Sequence, residues 1–191
     1  MIITISGNPG SGKSTVTKKL ARKLDWPKFY MGKIRRLKAG TLGLTLTEYN
    51  KLGEKNPSTD IEVDNYLKRV ARQHKNCIIE SRTAWHFLPK SIKIFVDVNE
   101  KIGAKRVFAE LKKHNKRNED KKLNTLKAVL ASHRQRKQSD DKRYRKYYNF
   151  KIFNKNNYDF ILDTTNLNKK QVFDKVYNYL KNRLKPVDKT S

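Results

Sequence analysis

Three observations predict an α/β fold, a five-stranded parallel sheet sandwiched by helices. Five short strand-like runs occur along the chain, at Ile2 to Ser6, Lys28-Phe29-Tyr30, Cys77-Ile78-Ile79-Glu80, Ile92 to Val98 and Phe160 to Asp163. Helical patterns lie between them and after the last, and strand–helix alternation of this kind marks a parallel sheet covered on both faces. The first strand runs straight into a glycine-rich turn, Gly7-Asn8-Pro9-Gly10-Ser11-Gly12-Lys13-Ser14-Thr15, and a helix follows at once.

In chain order, Val16, Leu20, Ala21 and Leu24 recur at helical spacing, and Asp25-Trp26-Pro27 breaks that pattern before the second strand. Gly32 and Lys33-Ile34-Arg35-Arg36-Leu37 open a short basic helix that ends near Gly40 or Gly43. Thr45 to Leu52 reads as another small helix, stopped by Gly53 and Pro57. Thr59 with Glu62 has the spacing of a capping box for a helix to about Gln73, with Ile61, Val63, Tyr66, Leu67, Val70 and Ala71 on one face. Residues 101–151 are nearly all helical in pattern and hold 18 Lys and Arg against 5 Asp and Glu. A last helix is predicted from Lys169 to Leu184, and Lys185 to Ser191 read as a frayed tail. Residues 1–184 are expected to form one domain.

The totals narrow the classes. At 191 residues a single hydrophobic core suffices. The one cysteine, Cys77, sits in an apolar strand and reads as a core thiol in a reducing compartment. Ile2 already belongs to a strand, so no leader is expected, and no apolar run approaches the roughly 20 residues that span a bilayer. The expected location is the cytoplasm, without a membrane partner. With 45 Lys and Arg against 18 Asp and Glu, a net charge of +27, the surface attracts polyanions. RNA is one possible partner and compositional drift is the alternative. Oligomeric state leaves no mark on the sequence.

The turn at 7–15 satisfies the spacing G-x-x-x-x-G-K-[ST] of a nucleotide phosphate-binding loop, and its place between strand and helix is the required one. Backbone N–H groups of such a loop converge on phosphate oxygens, and the helix N-terminus adds donors and the positive end of its dipole. Gly7, Asn8, Pro9, Gly10, Ser11, Gly12, Lys13, Ser14 and Thr15 are therefore the candidate ATP-binding residues, with Lys13 reaching the terminal phosphates and the Ser14 hydroxyl on Mg2+. The fold is that of a P-loop NTPase. His74, His86, His114 and His133 lack metal-ligand spacing and read as surface or packing residues.

Three stretches carry a resemblance. The first strand with its loop, Glu80-Ser81-Arg82-Thr83-Ala84-Trp85, and Ser139-Asp140-Asp141-Lys142-Arg143-Tyr144 resemble the archaeal-type cytidylate kinases over roughly residues 1–180. The family's middle motif is close to E-G-R-x-A-G-W, so Ser81 departs from its first glycine, while Glu80, Arg82 and Ala84 match. The resemblance implies a P-loop nucleoside monophosphate kinase using ATP and Mg2+, with a helical monophosphate-binding region at about 32–73 and a lid at about 115–150. It implies an acid, Glu80, holding water on Mg2+, and Arg82 on the acceptor phosphate. Arg36 matches the arginine of the family's G-D-I-F-R segment, which grips the same phosphate. Here Lys33 replaces the aspartate, and either Arg35 or Arg36 could be the gripping residue. Asp64, four residues after Asp60 on one helix face, borders the monophosphate site in the family, while a salt bridge to Lys68 is the competing account. Arg106 is placed as a lid or hinge arginine near the substrate. Arg136 and Arg143, seven apart and so on one helix face, match the family's lid arginines. Tyr144, Tyr147 and Tyr148 read as packing of the lid helix. The loop after the last strand, Thr164-Thr165-Asn166, approaches the donor base in the family.

Phosphoryl transfer to a monophosphate agrees with what the chain lacks. The attacking phosphate oxygen is already ionised, so positioning, Mg2+ and cations replace a general base. The expected reaction is ATP with CMP or dCMP to ADP and the diphosphate, with Lys13, Arg82, Arg136 and Arg143 as catalytic cations. The alternatives are a monophosphate kinase of other specificity and an adenylate-kinase-like, RNA- or ribosome-associated ATPase.

Overall fold

The computed structural model describes residues 1–113 and 123–184, and a five-stranded, all-parallel sheet in the order β2-β3-β1-β4-β5 runs through the middle. Its strands are β1 (Ile2–Gly7), β2 (Lys28–Tyr30), β3 (Cys77–Glu80), β4 (Ile92–Asp97) and β5 (Phe160–Asp163). The helices are α1 (Lys13–Leu24), α2 (Met31–Thr41), α3 (Leu46–Gly53), α4 (Ser58–Gln73), α5 (Ala84–Phe87), α6 (Glu100–Lys113), α7 (Leu126–Tyr148) and α8 (Lys169–Lys181). The expected tail at 185–191, His114 and the start of the expected lid, 115–122, lie outside the described residues.

Strands buried on both faces read as near-continuous apolar runs, and β1, β3 and β4 do so apart from Thr4 and Ser6 in β1, Glu80 at the end of β3, and Lys93 and the terminal Asp97 in β4. Ile3, Ile5, Ile78 and Ile94 point to one face, where α1 and α8 supply Val16, Leu20, Val172, Val176 and Leu180. Cys77 and Ile79 point to the other, against Met31 of α2, Val63, Leu67 and Val70 of α4 and Ala84 of α5. Each fully buried isoleucine contributes about 1.5–3 kcal/mol relative to an exposed one. A third cluster, Ala104, Val107 and Val129, joins α6 to α7.

The helix starts correct one expectation. Capping boxes stand instead at Asn168 with Gln171 and at Thr45, whose hydroxyl accepts from the Glu48 N–H while the Glu48 carboxylate accepts from the Thr45 N–H. Thr59 lies inside α4, which starts at Ser58 after Pro57, so its hydroxyl donates back to the Asn56 carbonyl and Glu62 pairs with Lys38. At the far end α7 is pinned by its tyrosines, as expected: Tyr144, Tyr148 and Phe150 stack, and the Tyr147 hydroxyl donates to the Gly53 carbonyl at 2.8 Å.

Because every strand runs the same way, Tyr30, Glu80, Asp97 and the glycine turn all emerge at one edge of the sheet. β3 and β4 flank β1, and the chain leaves β1 toward β2 but leaves β3 toward β4, a reversal that opens a crevice at the end of β1.

Candidate active site

The glycine turn is shaped by close backbone approach. Gly7 pairs with Val96 across β1 and β4, and a Cβ on it would lie 2.0 Å from the Val96 carbonyl oxygen. Gly10, at φ 74, comes so near α6 that a Cβ would meet the Gly103 carbonyl oxygen at 2.2 Å. The turn thereby sits between β4 and α6, and Gly7 and Pro9 to Thr15 line the crevice, the place an anion cradle requires. The Lys13 ammonium donates to the Asn8 carbonyl at 2.6 Å, folded over the loop it serves.

A cavity of about 1140 Å³ extends from this loop in two directions. Beyond Lys13, the Ser14 hydroxyl donates to Glu80 Oε1 at 3.1 Å. Glu80 is buried, and burial pushes its carboxyl above the ordinary range against the pull of Lys13, Ser14, Arg36 and Arg82. Two carboxylate oxygens and a hydroxyl, held beside the phosphate loop, form a hard-oxygen set of the kind that would fit Mg2+.

Past Glu80 the cavity continues between α2, α4 and the β3–α5 turn, where Arg36, Asp64, Arg82 and Thr83 line it. Arg36 donates to the Tyr30 hydroxyl at 2.9 Å and to the Gly32 carbonyl at 3.0 Å. Arg35 is turned the other way, buried with Nη1 2.8 Å from Asp60 Oδ1 and Nε donating to Asn50. Of the two candidates in this segment, Arg36 faces the cavity, and Lys33 is exposed outside it.

Asp64 turns to two hydroxyls rather than to Lys68. Its carboxylate accepts from Thr83 and Tyr148, both at 2.7 Å, and the Lys68 ammonium instead lies 4.2 Å from the centre of the Phe87 ring. Desolvation pushes the Asp64 carboxyl up to about 6, although both hydroxyl bonds pull it down.

The arginines of the expected catalytic set separate. Arg82 lies at the cavity wall with its Nε 2.8 Å from Asp140 Oδ2, and Arg136 of α7 lines the same wall with His133. Arg143 does not reach the cavity. It is fully buried, with Nε 3.0 Å from Asp60 and Nη2 2.6 Å from Asp140, so it ties α7 to α4 from within. Asp140 keeps its charge, since desolvation is outweighed by Arg82 and Arg143 and its carboxyl stands below the ordinary range.

Arg106 lies at the donor end and not beside Arg36 and Arg82. Its guanidinium donates to the carbonyls of Thr164 and Thr165, at 2.8 and 3.1 Å, and to the Thr164 hydroxyl at 3.2 Å. The β5–α8 loop is thus drawn against the glycine turn, and Leu167, Asn168 and Lys169 close that end of the cavity. Asn8, expected among the phosphate-loop residues, turns its side chain to Asp97. Tyr30, Thr83, His133 and Leu167–Lys169 escaped the sequence reading, because nothing local marks a side chain that reaches the cavity only through the tertiary fold.

Among the described residues no helix is long and apolar enough to cross a membrane, and no group of three or more His, Cys, Asp or Glu is placed to hold a metal.

Comparison with known proteins places this geometry. A family model described as the cytidylate kinase-like family matches residues 2–166. The chain is 33% identical over 172 residues to the cytidylate kinase of Methanocella arvoryzae, covering 90% of this chain and 92% of that one. It is 35% identical over 166 residues to the cytidylate kinase of Halobacterium salinarum, covering 86% and 81%. A shikimate kinase from Bacteroides thetaiotaomicron superposes with a TM-score of 0.57 at 14% identity, covering 95% of this chain and 98% of that one, a likeness of fold alone.

Proposed function

This chain belongs to the cytidylate kinase-like family, and from that premise we propose that it transfers the terminal phosphoryl group of ATP to CMP and dCMP. The observation that carries the reading is one continuous cavity with the phosphate loop at one end, Arg36, Asp64 and Arg82 at the other, and Ser14 with Glu80 between them.

The triphosphate lies along the glycine turn at the N-terminus of α1, and its negative charge draws Lys13 from the Asn8 carbonyl onto the terminal phosphates. Ser14 and Glu80 would hold Mg2+, which when bound neutralises and aligns the phosphates. Arg36 and Arg82 hold the acceptor phosphate as planar donors matched to a dianion, and they bring its ionised oxygen in line without a base. Arg136 adds a cation from α7 over the transferring group, where a preorganised charge acts on what develops in the transition state. Arg143, through Asp140, keeps Arg82 and α7 in register and touches neither nucleotide. Asp64, an acceptor of hydrogen bonds at the monophosphate end, is suited to the exocyclic amine of cytosine, which uracil lacks.

A coupled assay of ADP release with CMP, dCMP, UMP, AMP and GMP tests the reading. The expected result is turnover that needs an acceptor and prefers the cytidine nucleotides by about tenfold or more over UMP. Equal ATP hydrolysis without acceptor, or a preferred acceptor lacking cytosine, would overturn it. Arg82→Ala should remove acceptor-dependent turnover and leave nucleotide binding at the phosphate loop within about twofold.

A further inference from the structure

One residue of the phosphate loop is held by a group outside the cavity. The Asn8 side chain donates from Nδ2 to Asp97 Oδ1 at 2.5 Å, and the Val98 N–H donates to the same oxygen at 2.8 Å. The other Asp97 oxygen lies 2.5 Å from the Lys155 ammonium, which comes from the turn after α7. Asn8 is fixed by its backbone as well: its N–H donates to the Val96 carbonyl at 3.2 Å, and its own carbonyl accepts from the Lys13 ammonium at 2.6 Å. A continuous run therefore leads from Lys155 to Asp97, to Asn8, to Lys13.

We infer that Asp97 is a positioning residue for donor binding, fixing through Asn8 the shape of the phosphate loop and the reach of Lys13. The physical case rests on what the loop has to be. An anion cradle works when its N–H groups are pointed before the anion arrives, since ordering them afterwards is taken out of the binding free energy. The turn has glycines at 7, 10 and 12, all at positive φ, and so needs outside contacts to choose one shape. Ser11 is held from the β5–α8 side, where the Thr164 hydroxyl donates to the Ser11 carbonyl at 3.1 Å, and Gly10 lies against Gly103 and Arg106 of α6. At the entry of the turn, Asp97 is the side chain that does this, and its bond to Asn8 is charge-assisted. Half-burial raises the Asp97 carboxyl, but bonds from Lys155, Val98 and Asn8 outweigh it and hold the group below the ordinary range, so it stays an acceptor. The Lys155 contact is more exposed and contributes less.

The inference rests on reading Gly7–Thr15 as the donor site and is indifferent to the acceptor. Binding of ADP and of Mg–ATP is therefore measured by calorimetry with no acceptor present, beside KM for each substrate and unfolding in urea. Asn8→Ala and Asp97→Ala should each weaken nucleotide binding by about tenfold and leave the acceptor KM within about twofold. The double variant should be no weaker than either single one, because both remove the same bond. Asp97→Asn keeps an oxygen for Asn8 and Val98 and should bind nucleotide within about threefold of the parent, and Lys155→Ala within about twofold. Additive losses in the double variant, unchanged affinity in Asn8→Ala, or equal loss for both substrates in step with stability would each overturn the inference. Should Asp97→Ala fail to fold, Asn8→Ala and Asp97→Asn still decide it.

Discussion

Replacing Asp64 by asparagine should make the protein more stable at neutral pH and no more stable in acid. The Asp64 carboxyl is 3% exposed, and desolvation pushes it up to about 6. In the unfolded chain the same group titrates near about 3.9. Below about pH 4 it is protonated in both states and contributes no pH dependence. Between about pH 4 and 6 the unfolded chain is ionised while the fold still holds the proton, so stability falls as pH rises. Above about pH 6 the penalty is complete, about 3 kcal/mol at most for a separation of this size. The substitution removes the penalty, but the neutral amide accepts more weakly from the Thr83 and Tyr148 hydroxyls, each a bond that charge strengthens. The net gain should be about 1–2 kcal/mol at about pH 8, vanishing or reversing near about pH 4. Urea unfolding of both proteins at these two pH values measures it, and the difference between them cancels every other titrating group. A gap that does not change with pH would refute the reasoning, as would a variant that loses stability at the higher pH. The same substitution should raise KM for CMP, so a buried charge that weakens the fold would be retained for the substrate.

Glu80→Gln keeps an oxygen for the Ser14 hydroxyl and loses the charge, so half-maximal turnover should need about tenfold more Mg2+ while KM for CMP shifts little; an unchanged Mg2+ titration argues against Glu80 at the metal. Arg143→Met takes a guanidinium partner from buried Asp60, which keeps Arg35, and from buried Asp140, which keeps Arg82, and should destabilise the fold by up to about 3–5 kcal/mol in urea, beyond what a surface lid arginine would show. Gly10→Ala places a methyl 2.2 Å from the Gly103 carbonyl oxygen, whereas at Gly12 a Cβ meets nothing within 4 Å. Gly10→Ala should therefore lower the melting temperature clearly more than Gly12→Ala, which carries only the left-handed backbone strain of about 1–2 kcal/mol.

What the sequence made legible is what is local. The five strands, the loop between β1 and α1, and the last helix follow from runs and spacings within a few residues of one another. The capping box shows where this fails: Thr45–Glu48 and Thr59–Glu62 share one spacing, but only Thr45 stands at a helix start, since α4 has already begun at Ser58. Arg136 and Arg143 share a face of α7, as their spacing required. Seven residues also separate them by about 10 Å along the axis, which puts Arg136 at the cavity and Arg143 between α3 and α4. Asp97 meets Asn8 across 89 positions and Thr164 meets Ser11 across 153, so no window of sequence joins either pair.

The charge count nonetheless points to the site once it is inverted. With 45 Lys and Arg in the chain, a cation is unremarkable and says little about where chemistry occurs. The 18 acids are the scarce residues, and several of them, on α4, α7 and the ends of β3 and β4, each hold a particular partner. Asp60 holds Arg35 and Arg143, Asp140 holds Arg82 and Arg143, Glu80 accepts from Ser14, Asp64 from Thr83 and Tyr148, and Asp97 from Asn8. An arginine locked between two buried carboxylates, as Arg143 is, has its hydrogen-bonding capacity committed to the fold. Arg36 donates to a phenol and a carbonyl, Arg82 meets one carboxylate through Nε, and both line the cavity where the proposed acceptor phosphate would lie. In this chain buried acids lock Arg35 and Arg143 into the fold, while Arg36 and Arg82 stand at the wall of the cavity.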